Sequence, residues 1–279
     1  MTGAKIVTDS SCDLPQDLVD QFDIEIVSLS IRFGDDEFVD RVDLDPAAFW
    51  QRNSESSVLP ETAAPSPGAF QKVFEKAASD GHESVIAVML SRDLSATIQA
   101  AEAAAKSVAD TIAVHVVDSR TVSMGLGALV LQAAEASRSG VAGAEIAADI
   151  AERAQRTRVH AALDTLENLK KGGRIGAAQS LLGSLLSIKP MIEVRDGSVE
   201  PTNKPRTRTK ALAALVDTVR QAGSVEHLAV MHAQCADVDS FVAQLADVYD
   251  GNIVIGDIGA VIGAHAGPGA IGVTFQVGS

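Results

Sequence analysis

The chain has 279 residues, of which 46% are hydrophobic and 22% charged, a composition typical of a water-soluble globular protein with one large or two ordinary domains. Its formal net charge of −14 argues against nucleic acid as the main partner, because nucleic-acid binding depends on Lys and Arg that neutralise phosphates. Aromatic residues make up only 4%, so we expect cavities lined by aliphatic side chains, which suit an apolar chain better than a nucleobase.

Only two cysteines occur, Cys12 and Cys235, which are too few for a disulfide framework or a four-cysteine metal site. We interpret both as buried small hydrophobic residues or free thiols. The first residues lack the apolar segment of a signal peptide, and no run reaches the roughly 18 uncharged apolar residues of a membrane-spanning helix. We therefore expect a cytoplasmic protein without a metal or other cofactor.

Short strands alternate with helices in the N-terminal half, which predicts βα repeats around a parallel sheet. The apolar runs with the length of buried parallel strands are 5–8, 85–90 and 112–117. An alanine-rich helix, Ala144–Thr157, connects this half to the rest of the chain. We place the domain boundary near Thr157, which gives an N-terminal α/β domain over 1–157 and a C-terminal α/β domain over 158–279.

A small subdomain is predicted inside the first domain, over about 24–58. Ile24–Phe33 alternates apolar and polar residues like one strand, and Glu37–Val39 can return beside it as a hairpin. Asp40–Asp45 is strongly acidic but lacks the central glycine of a calcium-binding loop. We therefore interpret it as a solvated loop rather than as a metal site.

Helix-start signals follow the predicted strands. Asp13 is expected to cap the first helix, and Ser66 is expected to cap a helix that begins at Pro67. Ser95 and Thr97 open an alanine-rich helix, and hydroxyls beside free backbone N–H groups are suited to an anion. In α/β sheets such loops lie at the carboxyl ends of the strands, where ligands bind.

The stretch 170–210 combines a glycine pair, an arginine, an apolar segment, a hairpin signal and a basic cluster. Gly172-Gly173 is expected to turn the chain through left-handed conformations just before Arg174. Ala177–Leu186 is predicted to be a helix, and Asp196-Gly197 to be a type I′ hairpin turn.

The basic cluster Lys204–Lys210 stands out against the acidic chain and predicts an anion or an acidic partner. Its residues Arg206 and Arg208 would lie in the first turns of a helix over 206–221, where positive charge opposes the helix dipole. Near the C-terminus, His265 lies among glycines and alanines, which leave the imidazole little steric cover.

Four segments in this order resemble the DegV family: IVTDSSCDLP near the N-terminus, TAAPSP from Thr62, KGGRIG with the downstream RTRTKAL, and HAGPGAIGV near the end. The likeness spans almost the whole chain. It implies a two-domain fold, with a parallel-sheet N-terminal domain, a mixed α/β C-terminal domain and a tunnel that buries one long-chain fatty acid. It also implies a non-enzymatic carrier subunit that presents the fatty acid to a separate kinase for acyl phosphate formation in phospholipid synthesis.

The resemblance assigns roles to five residues. Thr62 and Ser95 would hydrogen-bond the fatty-acid carboxyl group, and the histidine before Gly-Pro-Gly would be His265. Arg174 and Arg206 match basic residues near the carboxyl end and on the kinase-docking face. A mobile helix that opens the tunnel at a membrane surface is a further implication of the resemblance.

The chain departs from the family pattern at Leu90–Gln99. Where the family usually reads Ser-Ser-Gly-Leu-Ser-Gly-Thr-Tyr-Gln, Ser95, Thr97 and Gln99 are kept, but Arg92-Asp93 and Ala96 replace smaller or more flexible residues. The hydroxyl donors of the predicted carboxyl site are therefore present, whereas the mouth of the pocket has a different shape.

Two alternatives follow from the residues themselves. A hydrolase or phosphotransferase would use Ser95 as nucleophile, His265 as base, and Asp9 or Asp118 to orient the base, although no G-x-S-x-G motif surrounds the serine. A DNA-binding regulator would depend on Lys204–Lys210 alone, which the acidic net charge disfavours. The sequence has no P-loop or glycine-rich nucleotide loop, so we expect a separate kinase to bind ATP.

Overall fold

The computed structural model describes residues 3–184 and 188–278 and folds them into three sheets with helices around them. In chain order the strands are β1 (Lys5–Asp9), β2 (Glu25–Val27), β3 (Ser30–Phe33), β4 (Asp36–Val39), β5 (Glu61–Ala63), β6 (Ser84–Met89), β7 (Ala113–Asp118), β8 (Thr157–Ala162), β9 (Met191–Arg195), β10 (Ser198–Pro201), β11 (Val225–His232), β12 (Val254–Asp257) and β13 (Ile271–Val277). The α-helices are α1 (Gln16–Phe22), α2 (Pro46–Glu55), α3 (Pro67–Ser79), α4 (Thr97–Ser107), α5 (Met124–Arg138), α6 (Gly143–Arg156), α7 (Glu167–Lys171), α8 (Arg208–Gln221), α9 (Val238–Ala246) and α10 (Ala260–Ala266).

The N-terminal half is built on a four-stranded parallel sheet in the order β2-β1-β6-β7, as the alternation of strands and helices predicts. Every residue of β6 is buried, because helices cover both faces of the sheet. Val85 and Ala87 pack with α3 and α4 on one face, whereas Ile86 and Val88 belong to the cluster that includes α5 and α6 on the other.

The C-terminal half is built on a six-stranded mixed sheet in the order β10-β9-β8-β13-β11-β12, in which only β11 and β12 pair in parallel. One face, which includes Val273 and Phe275, packs against α8 and α9. The opposite face carries Val159 and Ile192 toward the rest of the molecule. The predicted Asp196-Gly197 hairpin turn is present, with left-handed φ values of 50° and 89°.

A small antiparallel sheet, β4-β3-β5, lies beside α2, with the ring of Phe33 against that of Phe49. The inserted subdomain over about 24–58 stays a prediction, since β5 lies beyond residue 58. The prediction of one strand over Ile24–Phe33 was wrong. β2 joins the parallel sheet and β3 joins the small sheet, because the chain leaves the first sheet at Leu29, whose backbone N–H donates to Ser10 Oγ. The indole N–H of Trp50, in α2, donates to the Ile258 carbonyl at 2.8 Å and so connects α2 to the C-terminal half.

Asp13 does not cap a helix. It ends the short 3₁₀ turn Ser10–Cys12 in a left-handed conformation with φ 50°, and α1 begins after Pro15. Its buried carboxyl group accepts instead from Ser123 Oγ and from the Gly259 N–H, two donors that are distant in sequence. The side chain therefore joins α5 to the loop before α10.

The solvated-loop interpretation was wrong for Asp40, which is only 2% exposed. Its Oδ2 has no hydrogen-bond partner among the described residues, and burial raises the pKa of this carboxyl group from its usual 3.8 to about 6. Asp45 is the N-cap of α2 and accepts from the Ala48 N–H at 2.7 Å.

The apolar segment predicted as a helix over Ala177–Leu186 is a 3₁₀ helix over Gly176–Ser184, and the rest of that prediction lies outside the described residues. Cys12 and Cys235 are both buried and free, as expected.

The six-stranded sheet begins at Thr157, where the domain boundary is predicted. One hydrophobic cluster nevertheless joins the two halves, since it includes Ile6 and Leu14 together with Leu163 and Ile258. The division into domains over 1–157 and 158–279 stays a prediction. Within the described residues, no helix has the length and apolar character needed to cross a membrane.

Candidate functional site

An apolar cavity lies between the open face of the six-stranded sheet and α10. Its empty volume is about 850 Å³, part of which is open to solvent. The aliphatic lining residues include Leu90, Leu94, Val159, Leu163, Ile192, Val194, Val199, Met231, Val261 and Ile262. The polar side chains in the lining are those of Thr62, Ser95, Ser123, Arg174 and His265. Such a cavity suits a ligand with a long apolar part and one polar group.

Thr62 reaches the cavity from the edge of the small sheet. It lies in β5 and is paired with Ile31 of β3, while its neighbours Glu61 and Ala63 are exposed. Because side chains alternate along a strand, Thr62 faces inward when its neighbours face outward. Its Oγ1 lies 3.0 Å from Nε2 of His265.

His265 lies in the last turn of α10, which packs against α2, β5 and α7. Gly263 permits this close packing, because a Cβ there would lie 2.6 Å from Phe49 Cε1. Burial, followed by the positive charge of Arg174, lowers the pKa of His265 from its usual 6.5 to about 4. The imidazole is therefore neutral at pH 7.

The neutral imidazole has one N–H, and its surroundings indicate which nitrogen carries it. Nδ1 of His265 is buried and has no hydrogen-bond partner among the described residues. Because an unpaired N–H is rarer in protein interiors than an unpaired acceptor, we assign the proton to Nε2. Nε2 then donates to Thr62 Oγ1, and the hydroxyl proton of Thr62 remains available to a ligand.

The glycine pair has two different roles. Gly173 has a φ of 72° and turns the chain through a left-handed conformation, as expected. For Gly172 that expectation was wrong, because its φ of −71° is right-handed. A Cβ on Gly172 would lie 2.3 Å from Nδ1 of His265. Glycine is thus required at this position by the close approach of the imidazole.

Arg174 connects α7 with the loop that follows β6. Its Nε donates to the Leu94 carbonyl at 3.1 Å, and its Nη1 donates to the Gly172 carbonyl at 2.6 Å. A guanidinium has five N–H groups, so three remain beyond these two bonds. The side chain is half-buried and lines the cavity near His265.

Ser95 lies in the loop at the carboxyl end of β6, just before α4. Its Oγ lies 2.9 Å from Thr97 Oγ1 and accepts from the Thr97 N–H at 3.3 Å. The side chain is half-buried and lines the same cavity as Thr62. The fold therefore brings Thr62, Ser95, Arg174 and His265 to one cavity.

Arg206 does not line this cavity. It is exposed and precedes α8, which begins at Arg208 with Thr207 as its N-cap. Arg208 binds Asp237 through Nε and Nη2 at 2.6 and 2.8 Å and donates to the Gly269 carbonyl at 2.6 Å. One basic residue of the cluster, Arg208, thus has its acidic partner, Asp237, within the same chain.

The arrangement required for a Ser-His-Asp triad is not seen in the described residues. The carboxyl group of Asp9 is buried and accepts from Ser11 and from the Leu90 N–H. Asp118 binds Arg92 and the Arg120 N–H. Neither carboxylate binds His265.

A second cavity, here called the outer vestibule, lies outside this polar group of residues. Its lining residues are Leu59, Pro60, Glu61, Thr62, Asn168, Lys171, Gly172, Arg174, Ala264 and His265. Thr62, Arg174 and His265 line both cavities, so they stand at the boundary between them. Sequence reasoning missed Lys171, although it directly precedes the glycine pair.

Ser123 is a second cavity residue that sequence reasoning missed. It donates to Asp13 Oδ2 at 2.5 Å and precedes α5 with a left-handed φ of 54°. No pattern in the sequence marks it. Within the described residues, no group of three or more His, Cys, Asp or Glu side chains is placed to hold a metal ion.

Comparison with known proteins gives consistent matches over the whole length. Residues 4–277 match the model of the family described as "Uncharacterised protein, DegV family". The chain is 35% identical over 276 residues to a DegV domain-containing protein of Streptomyces coelicolor, with 97% of each chain covered.

Two solved structures confirm the fold. A DegV family protein from Thermus thermophilus, reported as fatty-acid binding, matches with a TM-score of 0.91 and 30% identity over 99% of this chain and 100% of that one. DegV of Bacillus subtilis, named as a fatty acid binding protein, matches with a TM-score of 0.88 and 28% identity over 100% of both chains.

Proposed function

Because this chain belongs to the DegV family, we propose that it binds one long-chain fatty acid in the apolar cavity and presents the carboxyl group to a separate kinase. The observation that carries the proposal is the cavity itself, which is aliphatic except for a few polar side chains. The fatty-acid binding named for the relatives from Thermus thermophilus and Bacillus subtilis supports it.

The lining accounts for binding of the tail. Each methylene group transferred from water into such a cavity contributes about 0.8 kcal/mol. Most of the lining is aliphatic, with Val159, Ile192 and Met231 contributed by strands β8, β9 and β11 of one sheet. A flexible acyl chain fits such a surface better than a rigid aromatic ligand does.

Neutral donors account for binding of the head group. The Thr62 hydroxyl, with its oxygen accepting from His265, can donate to a carboxylate oxygen, and the Ser95 hydroxyl can donate to the other. Neutral hydroxyl donors avoid the large desolvation penalty of a buried ion pair. They also leave a lone pair on the carboxylate for reaction.

In the proposed transfer, a carboxylate oxygen attacks the γ-phosphorus of ATP held by the kinase. The bond from phosphorus to the bridging oxygen breaks, ADP leaves with that oxygen, and an acyl phosphate forms. Phosphoryl transfer depends mainly on positioning and charge stabilisation, and Arg174 at the boundary of the two cavities supplies positive charge. The protein acts as a carrier, and ATP and its metal belong to the kinase.

Surface charge supports docking to an acidic kinase surface. Arg206 is exposed, and neither it nor Lys204 or Lys210 pairs with an acidic side chain among the described residues. We place this encounter in the cytoplasm.

Transient contact with a membrane surface would load the insoluble ligand. The 49% exposed Val58, next to the vestibule residue Leu59, supports such a contact. Fatty-acid uptake should be faster from vesicles than from albumin, and equal rates would contradict membrane loading.

Calorimetric titration of the delipidated protein with a long-chain fatty acid tests the carboxyl site. Thr62→Ala/Ser95→Ala should bind at least about 10-fold more weakly than wild type, because two hydrogen bonds to a charged group are lost. Thr202→Ala/Thr209→Ala is a matched control, since both threonines are exposed and lie outside the cavity lining. Equal affinity of the two double variants would contradict the assigned carboxyl site.

A further inference from the structure

A third cavity, here called the acidic pocket, lies between the first turns of α1 and α2 and the strand β12. Among the described residues, none lines both this pocket and either the apolar cavity or the outer vestibule. Four carboxyl groups line the acidic pocket, those of Asp13, Asp40, Asp45 and Asp257, and Arg41 is the basic residue in its described lining. The pocket therefore has an excess of negative charge when its carboxyl groups are ionised.

Arg41 forms no ion pair with these carboxyl groups in the part of the chain that the structure describes. Its Nη2 donates to the Leu14 carbonyl at 2.9 Å and to Gln16 Oε1 at 3.0 Å, and both acceptors are neutral. These bonds hold the guanidinium beside the start of α1. The carboxyl groups of the pocket are thus left for another cation.

The side chain of Asp40 shows where such a cation would be needed most. It is only 2% exposed, it lines the pocket, and its Oδ2 has no hydrogen-bond partner among the described residues. A buried carboxylate oxygen without a donor is costly, because the charge has lost its contact with water. A cation with N–H groups in the pocket would satisfy this oxygen.

The geometry favours an organic cation over a metal ion. A metal ion needs several ligands that converge on one point, and no group of three or more His, Cys, Asp or Glu side chains in the described ranges is placed to hold one. The empty volume of the pocket is about 1130 Å³, part of it open to solvent, and Pro46 and Ile255 add apolar surface to the lining. Ammonium groups joined by methylene segments match such a combination of separate carboxyl groups and apolar surface.

We propose that the acidic pocket binds an aliphatic polyamine, with Asp40 as the buried partner of one ammonium group and Asp45 and Asp257 as exposed partners of the others. Asp45 uses Oδ1 to cap α2, and Asp257 uses Oδ1 to accept from Gln234, so Oδ2 of each remains for the ligand. The inference is independent of the proposed function, because the residues that line the apolar cavity take no part in it.

Calorimetric titration of the full chain with spermidine tests this site, with 1-butylamine as a ligand that has a single ammonium group. The titrations are made at pH 8, above the raised pKa values that burial gives Asp13 and Asp40, so that both carboxyl groups are ionised. Wild type is compared with Asp40→Asn, Asp257→Asn and Asp35→Asn. Asp35 is the matched control, because it is exposed and lies outside the pocket lining, so its variant measures the general attraction of an acidic chain for cations.

Wild type should bind spermidine at least about 10-fold more tightly than 1-butylamine. Asp40→Asn should lose at least about 10-fold in spermidine affinity, the exposed Asp257→Asn about 3-fold, and Asp35→Asn less than about 2-fold. Equal losses in Asp40→Asn and Asp35→Asn, or equal affinity of wild type for the two amines, would overturn the polyamine site. Displacement of spermidine by an equal concentration of Mg²⁺ would overturn it as well, because the pocket would then belong to a metal ion. If Asp40→Asn does not fold, unchanged spermidine affinity in Asp257→Asn overturns the proposal instead.

Discussion

On the polar side of the cavity, the imidazole of His265 lies so close to Gly172 that position 172 has no room for a side chain. The imidazole donates to Thr62 through Nε2, and its Nδ1 edge lies against Gly172. A Cβ at position 172 would lie 2.3 Å from Nδ1, so this position of the ring requires glycine. The backbone of Gly172 is right-handed, so alanine is compatible with its conformation, and the most severe conflict of an added Cβ is with the imidazole. Gly172 therefore determines the position of the His265 imidazole, although Gly172 itself does not line the apolar cavity.

Gly172→Ala should displace His265, break its hydrogen bond to Thr62 and weaken fatty-acid binding about 10-fold, which corresponds to the loss of one such bond. Titration calorimetry of the folded variant measures this change. Gly68→Ala is the matched control in another helix, because a Cβ there would lie 3.8 Å from Ser66 Oγ, an ordinary contact. Unchanged affinity in Gly172→Ala would show that the imidazole does not orient Thr62.

Elements of the two halves are joined by the carboxyl group of Asp13. It accepts from Ser123 before α5 and from Gly259 before α10, the helix that carries His265. Burial is the main cause that raises the pKa of Asp13 from its usual 3.8 to about 7, and the hydrogen bonds from Ser123 and Gly259 are the main causes that oppose this rise. Between these two pH values, the folded chain holds a proton that the unfolded chain releases.

Raising the pH from about 4 to about 7 should therefore destabilise the folded wild type relative to Asp13→Asn, by up to about 1.4 kcal/mol for each pH unit. Asparagine resembles the protonated carboxyl group in shape and cannot titrate. Urea unfolding of both proteins at several pH values measures the difference. Asp110→Asn, at an exposed position, should remain parallel to wild type over this range. A difference between wild type and Asp13→Asn that does not change with pH would contradict the protonated buried carboxyl group.

Among the helices and strands, the sequence predicts those ends that depend on interactions between neighbouring residues. Ser66 and Pro67 start α3 as expected, because a cap and a fixed proline φ act within one turn. The single strand predicted over Ile24–Phe33 fails, because nothing local shows that Leu29 binds Ser10 and that the chain changes sheets there. Asp13 fails for the same reason, since its two partners lie more than a hundred residues away.

Across the whole molecule, the cavity is formed by residues from both halves of the sequence. Thr62 and His265 are 203 positions apart and meet because α10 packs against β5. The resemblance to the DegV family identified four of the side chains that meet there, whereas composition and periodicity identified the sheets and the aliphatic character of the lining. Ser123 has no sequence signal, and Lys171 lies in the family-like segment KGGRIG without a role assigned to it, because their places in the cavity linings arise only when separate elements come together.

The central claim is that the cavity holds one fatty acid. Native mass spectrometry of the protein as purified, followed by solvent extraction and identification of the released compound, tests this claim most directly. We predict a mass increase equal to one fatty acid per chain, with lower occupancy in Thr62→Ala/Ser95→Ala. A chain that carries no adduct, and gains none after incubation with long-chain fatty acids, would contradict the account.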